Sequence, residues 1–146
     1  MSVPKLFPAL EVANYFLDFA NEMGRSLNLA KLQYLVYYAQ AWHLAMYDQP
    51  IFADEIGATP NGPMIVAVQT AYAEFGEQPI VATVQVNFSP EIAAYLHAIV
   101  REYFDLELSE LADGLANEVP WQQAIAAGVI DLDQVRDYYR TQLIDA

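Results

Sequence analysis

The chain has 146 residues, with nineteen acidic residues against six basic ones and a formal net charge of −13 at pH 7. It contains no cysteine, which excludes disulfides, thiolate catalysis and thiolate zinc sites. Hydrophobic residues make up 55% of the chain and charged residues 17%, so disorder is excluded as the default state. The length is that of one domain, which we place at residues 1–146.

The scarcity of Lys and Arg argues against nucleic-acid and anionic-lipid binding, because phosphate groups are held by clusters of basic residues. The negative charge would instead steer a basic partner toward the protein, although solubility alone explains the same charge. The chain has no run of about 18 apolar residues, and its first residues, MSVPKLFPALE, lack the layout of a signal peptide. We therefore expect a cytoplasmic protein without a membrane partner. Whether the free chain forms a homo-oligomer stays open.

The first predicted helix starts near Pro8 and ends at Gly24. Proline suits the first turn because no backbone N–H is needed there, and glycine suits a left-handed stop. Between them an apolar stripe recurs at helical spacing: Val12, Ala13, Phe16, Leu17, Ala20 and Met23. The short connection that follows predicts an antiparallel helical hairpin with the next helix.

The second predicted helix lies within Ser26 to Tyr47, and the rest of the chain is organised around it. Asn28 is a good N-cap, because its side-chain oxygen can accept from a backbone N–H of the first turn. One face carries apolar residues at helical spacing: Leu32, Leu35, Val36, Ala39, Trp42, His43 and Met46. We predict that Leu32, Leu35 and Trp42 belong to the core, together with Trp121 from a later helix.

The opposite face of this helix carries few charges. Its residues are Tyr34, Tyr37, Tyr38 and Gln40, beside Lys31. A solvated face normally carries charge, so these tyrosines predict covering by another element or by a partner. Tyrosine offers a large contact area at low entropic cost, which suits an interface, and we predict partner contact through this face. Packing between helices remains the alternative.

The segment after the second helix contains the predicted β element. Residues 51–58 have an extended pattern, and Pro60 to Pro63 have the composition of a turn. Pro63 also suits the first position of a third helix ending at Gly76. Asn61, Gly62 and Pro63 either form a turn and nothing more or present backbone groups to a partner beside the tyrosine face. Residues 80–88, IVATVQVNF, are β-branched and alternate, so we predict a strand that pairs with residues 51–58.

The last part of the chain is helical. Ser89 and Pro90 give a helix start, Pro120 opens a shorter helix that carries Trp121, and Asp131 has capping-box spacing to Gln134. The prediction is a mainly α (α+β) fold, a single-domain bundle of about seven helices with a small antiparallel β element.

The residues do not predict an enzyme. The two histidines, His43 and His97, are far apart in the sequence, and His43 is better explained as a core or boundary histidine than as a catalytic base. Metal-ligand motifs, glycine-rich phosphate loops and nucleophile elbows are absent. We therefore predict no catalytic residues, no metal site and no cofactor.

Several landmarks together resemble a known family. They are EVANYFLDFANEMG, the helix LNLAKLQYLVYYAQAWHLA, the QPIF that follows it, Asn61-Gly62-Pro63, and Glu118-Val119-Pro120-Trp121. Over roughly residues 10–140 the chain resembles the Panacea antitoxin domain of SocA-like bacterial and phage proteins. Two positions depart from the family pattern. Asn61 replaces an aromatic residue, and Leu115-Ala116 stand where the family often has Thr-His.

This resemblance implies an antitoxin that binds a cognate protein toxin and holds it inactive. The acidic charge would favour a basic toxin. The alternative is a proteolytic adaptor, with a protease as second partner, or another phage-derived regulatory interaction module. If the family histidine has a direct role, this chain lacks it.

Overall fold

The computed structural model describes residues 6–144. The first five residues, part of the segment judged not to be a signal peptide, lie outside this range. Within it the helices are α1 (Ala9–Glu22), α2 (Leu29–Tyr47), α3 (Val66–Tyr72), α4 (Pro90–Tyr103), α5 (Leu108–Ala116), α6 (Val119–Ala127) and α7 (Leu132–Ile144). A short 3-10 turn, Ala73–Phe75, follows α3. The strands are β1 (Gly57–Thr59) and β2 (Gly62–Met64). The prediction of a mainly α fold with a small antiparallel sheet is confirmed.

Helix α2 is the centre of the structure. It packs against α1, α3, α4, α5, α7 and β2. Its start is capped as predicted, because the Asn28 side-chain oxygen accepts from the backbone N–H of Lys31 at 2.9 Å. The predicted core residues Leu32 and Leu35 are fully buried, Trp121 is buried, and Trp42 is half-buried against the core. Burial extends around the whole helix from Leu32 to Ala41 rather than along one stripe.

The antiparallel sheet forms in a different place from the one predicted. It is a hairpin in which Gly57 pairs with Met64, Ala58 with Pro63 and Thr59 with Gly62, joined by a turn at Pro60 and Asn61. Pro63 is therefore a strand residue, and the prediction that it starts the third helix is wrong. The Thr59 hydroxyl donates to the Gly62 carbonyl at 2.8 Å and closes the turn.

The predicted pairing of residues 80–88 with 51–58 is also wrong. Residues 80–89 contain no helix, turn or bend, and the backbone of the first segment bonds elsewhere. The Ile51 carbonyl accepts from Phe7, the Ile56 carbonyl accepts from the Ile130 N–H at 3.1 Å, and the Ala58 N–H donates to the Gly128 carbonyl at 3.0 Å. Since each backbone group needs one partner when buried, little of residues 51–58 is left to pair with another strand.

None of the described helices is both long enough and apolar enough to cross a lipid bilayer.

Candidate partner-binding surface

Two glutamines of α2, seven residues apart, tie the following loop to the helix. The Gln40 amide oxygen accepts from the Ile51 N–H at 2.8 Å, and its amide nitrogen donates to the Phe52 carbonyl at 2.9 Å. Gln33 does the same with the N–H and carbonyl of Ile65, at 3.1 and 3.2 Å. Each glutamine side chain thus bonds to the backbone of the loop as a neighbouring β-strand would, and both glutamines are buried. Gln40 was predicted to flank a contact patch, but it is buried, and both its amide oxygen and its amide nitrogen bond inside the fold.

The predicted outward face of tyrosines is buried. Tyr34, Tyr37 and Tyr38 expose only 4%, 0% and 3% of their surface. The Tyr38 ring stacks on Tyr103 of α4, with centroids 3.9 Å apart, and Tyr37 meets the edge of Trp121 of α6 at 5.8 Å. The outward docking face that was predicted for partner contact is absent, because Tyr38 packs on α4, Tyr37 on α6 and Tyr34 beneath the β1–β2 hairpin. In this conformation they pack between helices, which was the alternative.

Tyr34 determines where the hairpin sits. Gly62 has φ +116°, and a Cβ placed there would lie 2.8 Å from the Tyr34 hydroxyl oxygen. Glycine is therefore required both by the backbone angle and by the ring packed against it. The structure brings the tyrosine face and the Asn61-Gly62-Pro63 turn together, with the tyrosine supporting the turn from inside.

Two of the predicted contact residues keep solvent exposure. Asn61 is exposed at the tip of the hairpin, whereas Gly62 and Pro63 are buried. Lys31 is half-buried; its ammonium group donates to the Phe104 carbonyl and lies 5.1 Å from the centre of the Phe104 ring. Burial is also the main reason why the pKa of Lys31 is lowered.

Glu118, the first residue of the landmark Glu118-Val119-Pro120-Trp121, forms a polar centre that was not among the predicted contact residues. It precedes α6, and its carboxylate accepts from the Tyr139 hydroxyl at 2.6 Å. Burial raises the pKa of Glu118 to about 7, and the hydrogen bond from Tyr139 opposes that rise. Tyr37 lies in the same cluster, where burial first and the nearby Glu118 second raise its pKa. A carboxylate two residues before Pro120 was visible in the sequence, but nothing there indicated that it bonds to the Tyr139 hydroxyl.

The histidine and carboxylate side chains were the candidates for metal binding or acid–base chemistry. Within residues 6–144 no group of three His, Asp or Glu side chains is placed to hold a metal ion. His43 is half-buried, its Nδ1 lies 2.5 Å from the Gln49 carbonyl oxygen, and its ring touches Tyr95. Burial lowers the pKa of His43. It therefore occupies the boundary position that its place on the apolar face predicted.

An open apolar groove lies between the C-terminal end of α2 and α4. Its volume is about 530 Å³, and its walls include Trp42, Met46 and Tyr47. Met46 and Tyr47 expose 49% and 53% of their surface, so the groove presents apolar side chains to solvent. Glu91 and Glu102 of α4 also line it. A groove of this chemistry fits apolar side chains flanked by Lys or Arg.

Comparison with known proteins identifies the family. The family model described as Antitoxin SocA-like, Panacea domain, matches residues 32–122, from the first turn of α2 into α6. This range is narrower than residues 10–140 and leaves α1 and α7 outside. No curated protein and no solved structure matches the chain significantly. Because the family model covers more than half of the chain, the protein belongs to the SocA-like antitoxin family with a Panacea domain.

Proposed function

We propose that this protein neutralises a protein toxin by binding it directly. The observation that carries the proposal is the family match, which spans α2, the hairpin and α6. The chemistry of the described residues supports binding rather than catalysis. Among residues 6–144, Glu118 is the carboxyl group whose pKa is raised to about 7, and it is hydrogen-bonded to the Tyr139 hydroxyl.

The charge distribution supports a basic partner. Nineteen acidic residues against six basic ones leave an excess of negative charge. Several carboxylates lie at surfaces that also carry apolar side chains, such as Glu91 and Glu102 beside Met46. Opposite charges on two proteins accelerate their encounter, and added salt screens this effect. We therefore propose that the partner is basic and that complex formation slows as salt rises.

The tyrosine face contributes indirectly in this proposal. Tyr34 holds the hairpin on α2. The exposed Asn61 at the hairpin tip and the half-buried Lys31 are the predicted contact residues that can reach a partner without any movement. Direct contact by Tyr37 or Tyr38 would require α4 or α6 to move away, since these helices cover the rings.

The test uses the product of the open reading frame next to this gene as the candidate toxin. Co-expression should rescue growth of cells producing that protein, and the two purified proteins should form a complex in which the toxin is inactive without any protease. Rescue that needs a protease, with no inhibition by purified components, would replace this proposal by the adaptor alternative. Association rates that are equal at low and high salt would contradict the charge argument.

A further inference from the structure

Residues 80–88 contain no helix, turn or bend, and beyond the bridge between Pro79 and Asn28 at its start this segment pairs with no strand of the described residues. Its burial alternates: Ala82, Val84, Val86 and Phe88 are half-buried, whereas Val81, Thr83, Gln85 and Asn87 are exposed. Period-two alternation is the pattern of a β-strand lying on a surface. Phe88 anchors one end through edge contacts to Phe7 and Tyr15, with ring centroids 5.0 and 6.1 Å apart.

Two hydrogen bonds define which edge of this strand faces the protein. The Ile80 N–H donates to the Leu27 carbonyl at 2.9 Å, and the Asn21 side-chain amide donates to the Ala82 carbonyl at 2.9 Å. In an extended chain the N–H and C=O of one residue point to the same edge, and those of the next residue point to the other. The backbone groups of Ile80 and Ala82 therefore point to the body of the protein. By the same alternation, those of the odd-numbered residues point to the opposite edge.

That opposite edge is unpaired. Among residues 6–144, no backbone N–H or carbonyl of Val81, Thr83, Gln85 or Asn87 has a protein hydrogen-bond partner. Exposed edges are normally protected by charged residues, proline or bulges, because bare edges recruit other strands. Residues 80–88 contain no charged residue, no proline and no glycine, and they are rich in β-branched side chains.

We infer that this edge accepts an extended segment of the protein partner, which pairs with residues 81–87 as an added β-strand. The inference rests on the proposed function, since the partner is the toxin. Charge favours this occupant over a second copy of the chain, because two copies would each bring a net charge of −13. Glu11 and Asp18 of α1 line clefts beside the strand, so an incoming segment with Lys or Arg between apolar residues fits best.

A backbone substitution tests the inference directly. The variant Thr83→Pro/Gln85→Pro removes two N–H groups from the free edge, and the matched control Thr83→Ala/Gln85→Ala removes the side chains but keeps those groups. Proline restricts the preceding residue to extended conformations, which suits a segment without helix, turn or bend, so both variants should fold like the wild type. Circular dichroism and thermal unfolding check this.

The expected result is a loss of roughly tenfold or more in affinity for the adjacent gene product in the proline variant, and little change in the alanine variant. Equal binding by the proline variant and the wild type would overturn the inference and leave the proposed function intact. Failure of the wild type itself to bind the adjacent gene product would overturn both.

Amide hydrogen exchange gives a second readout that does not depend on the variants. In the complex, the amides of Thr83 and Gln85 should become protected, whereas those of Ala82 and Val84 should gain little. Uniformly fast exchange across the strand in a stable complex would overturn the inference. Protection that appears without partner, and increases with protein concentration, would assign the edge to a second copy and overturn the chosen occupant.

Discussion

Ionisation of Glu118 should weaken the fold. Its pKa is raised from 4.5 to about 7 because the carboxyl group is buried beside Tyr139. The native state therefore binds this proton more tightly than the unfolded chain does. As pH rises from about 4.5 to 7, the unfolded chain loses the proton first, so the free energy of unfolding falls; above about pH 7 the loss is complete.

The expected fall in the free energy of unfolding follows from the size of the Glu118 pKa shift. One pKa unit corresponds to about 1.4 kcal/mol, so this group alone should lower the free energy of unfolding by about 2.5 kcal/mol between about pH 5 and about pH 8. The variant Glu118→Gln keeps an oxygen that can accept from Tyr139 and cannot ionise. Its decrease in stability over that pH range should be smaller than that of the wild type by this amount.

Urea unfolding at the two pH values, followed by circular dichroism, measures the difference. The variant Glu74→Gln is the matched control, because it removes one negative charge from an exposed position. It should keep the pH dependence of the wild type, which includes the general repulsion within an acidic protein. If Glu118→Gln and the wild type lose equal stability between these pH values, burial of this carboxyl group does not have the consequence argued here.

Three further substitutions test the packing around α2, each by its change in the free energy of unfolding. Gln40→Leu leaves one backbone N–H and one carbonyl of the loop buried without partners, which should cost about 2–4 kcal/mol. Gly62→Ala forces a methyl group against Tyr34 and should cost about 1–3 kcal/mol. Tyr38→Ser removes a buried, stacked ring and should cost about 3–5 kcal/mol, whereas an exposed interface ring would cost little.

Each of these predictions has a matched control. Gln123→Leu changes an exposed glutamine and should be nearly neutral. Gly76 also has a positive φ, but no atom lies within 4 Å of a Cβ added there. Gly76→Ala therefore measures the backbone strain without a steric clash like that between Gly62→Ala and Tyr34. Tyr47→Ser removes a half-exposed ring. A test variant no more destabilised than its control would contradict the corresponding contact.

The local signals in the sequence predicted most of the helices. Asn28 caps α2, Pro90 opens α4 behind the Ser89 cap, and Gly24 has the left-handed conformation expected after α1. These features depend on neighbouring residues only, so they can be recognised without knowing the tertiary structure. The family resemblance also rests on such local stretches, and the family match confirms it.

The sheet could not be predicted in the same way. The alternation of residues 80–88 predicts an extended conformation but does not identify a partner strand. Their expected partner, residues 51–58, bonds instead to the Gln40 amide and to residues near Gly128, about 75 positions further along the chain. A side-chain amide that bonds the backbone in place of a neighbouring β-strand leaves no periodic pattern in the sequence.

The burial of the α2 tyrosines could not be predicted from their spacing alone. Tyr34, Tyr37 and Tyr38 do share a face, but spacing does not show whether solvent, a partner or another helix covers it. A useful signal was available: Lys31 is the only fully charged residue between Leu29 and Tyr47. A helix that is apolar or neutral on all sides is typical of a helix buried on all sides.

The enclosure of α2 has a consequence for how the molecule can be divided. The helix packs against five other helices and a strand, so a fragment that lacks it has no apolar surface on which to close. Opening the peptide chain at the exposed tip, between Pro60 and Asn61, would leave α3 to α7 on a piece without that support. The two pieces should be largely unfolded when apart and should gain structure on mixing, which makes this tip a natural place to build a split reporter.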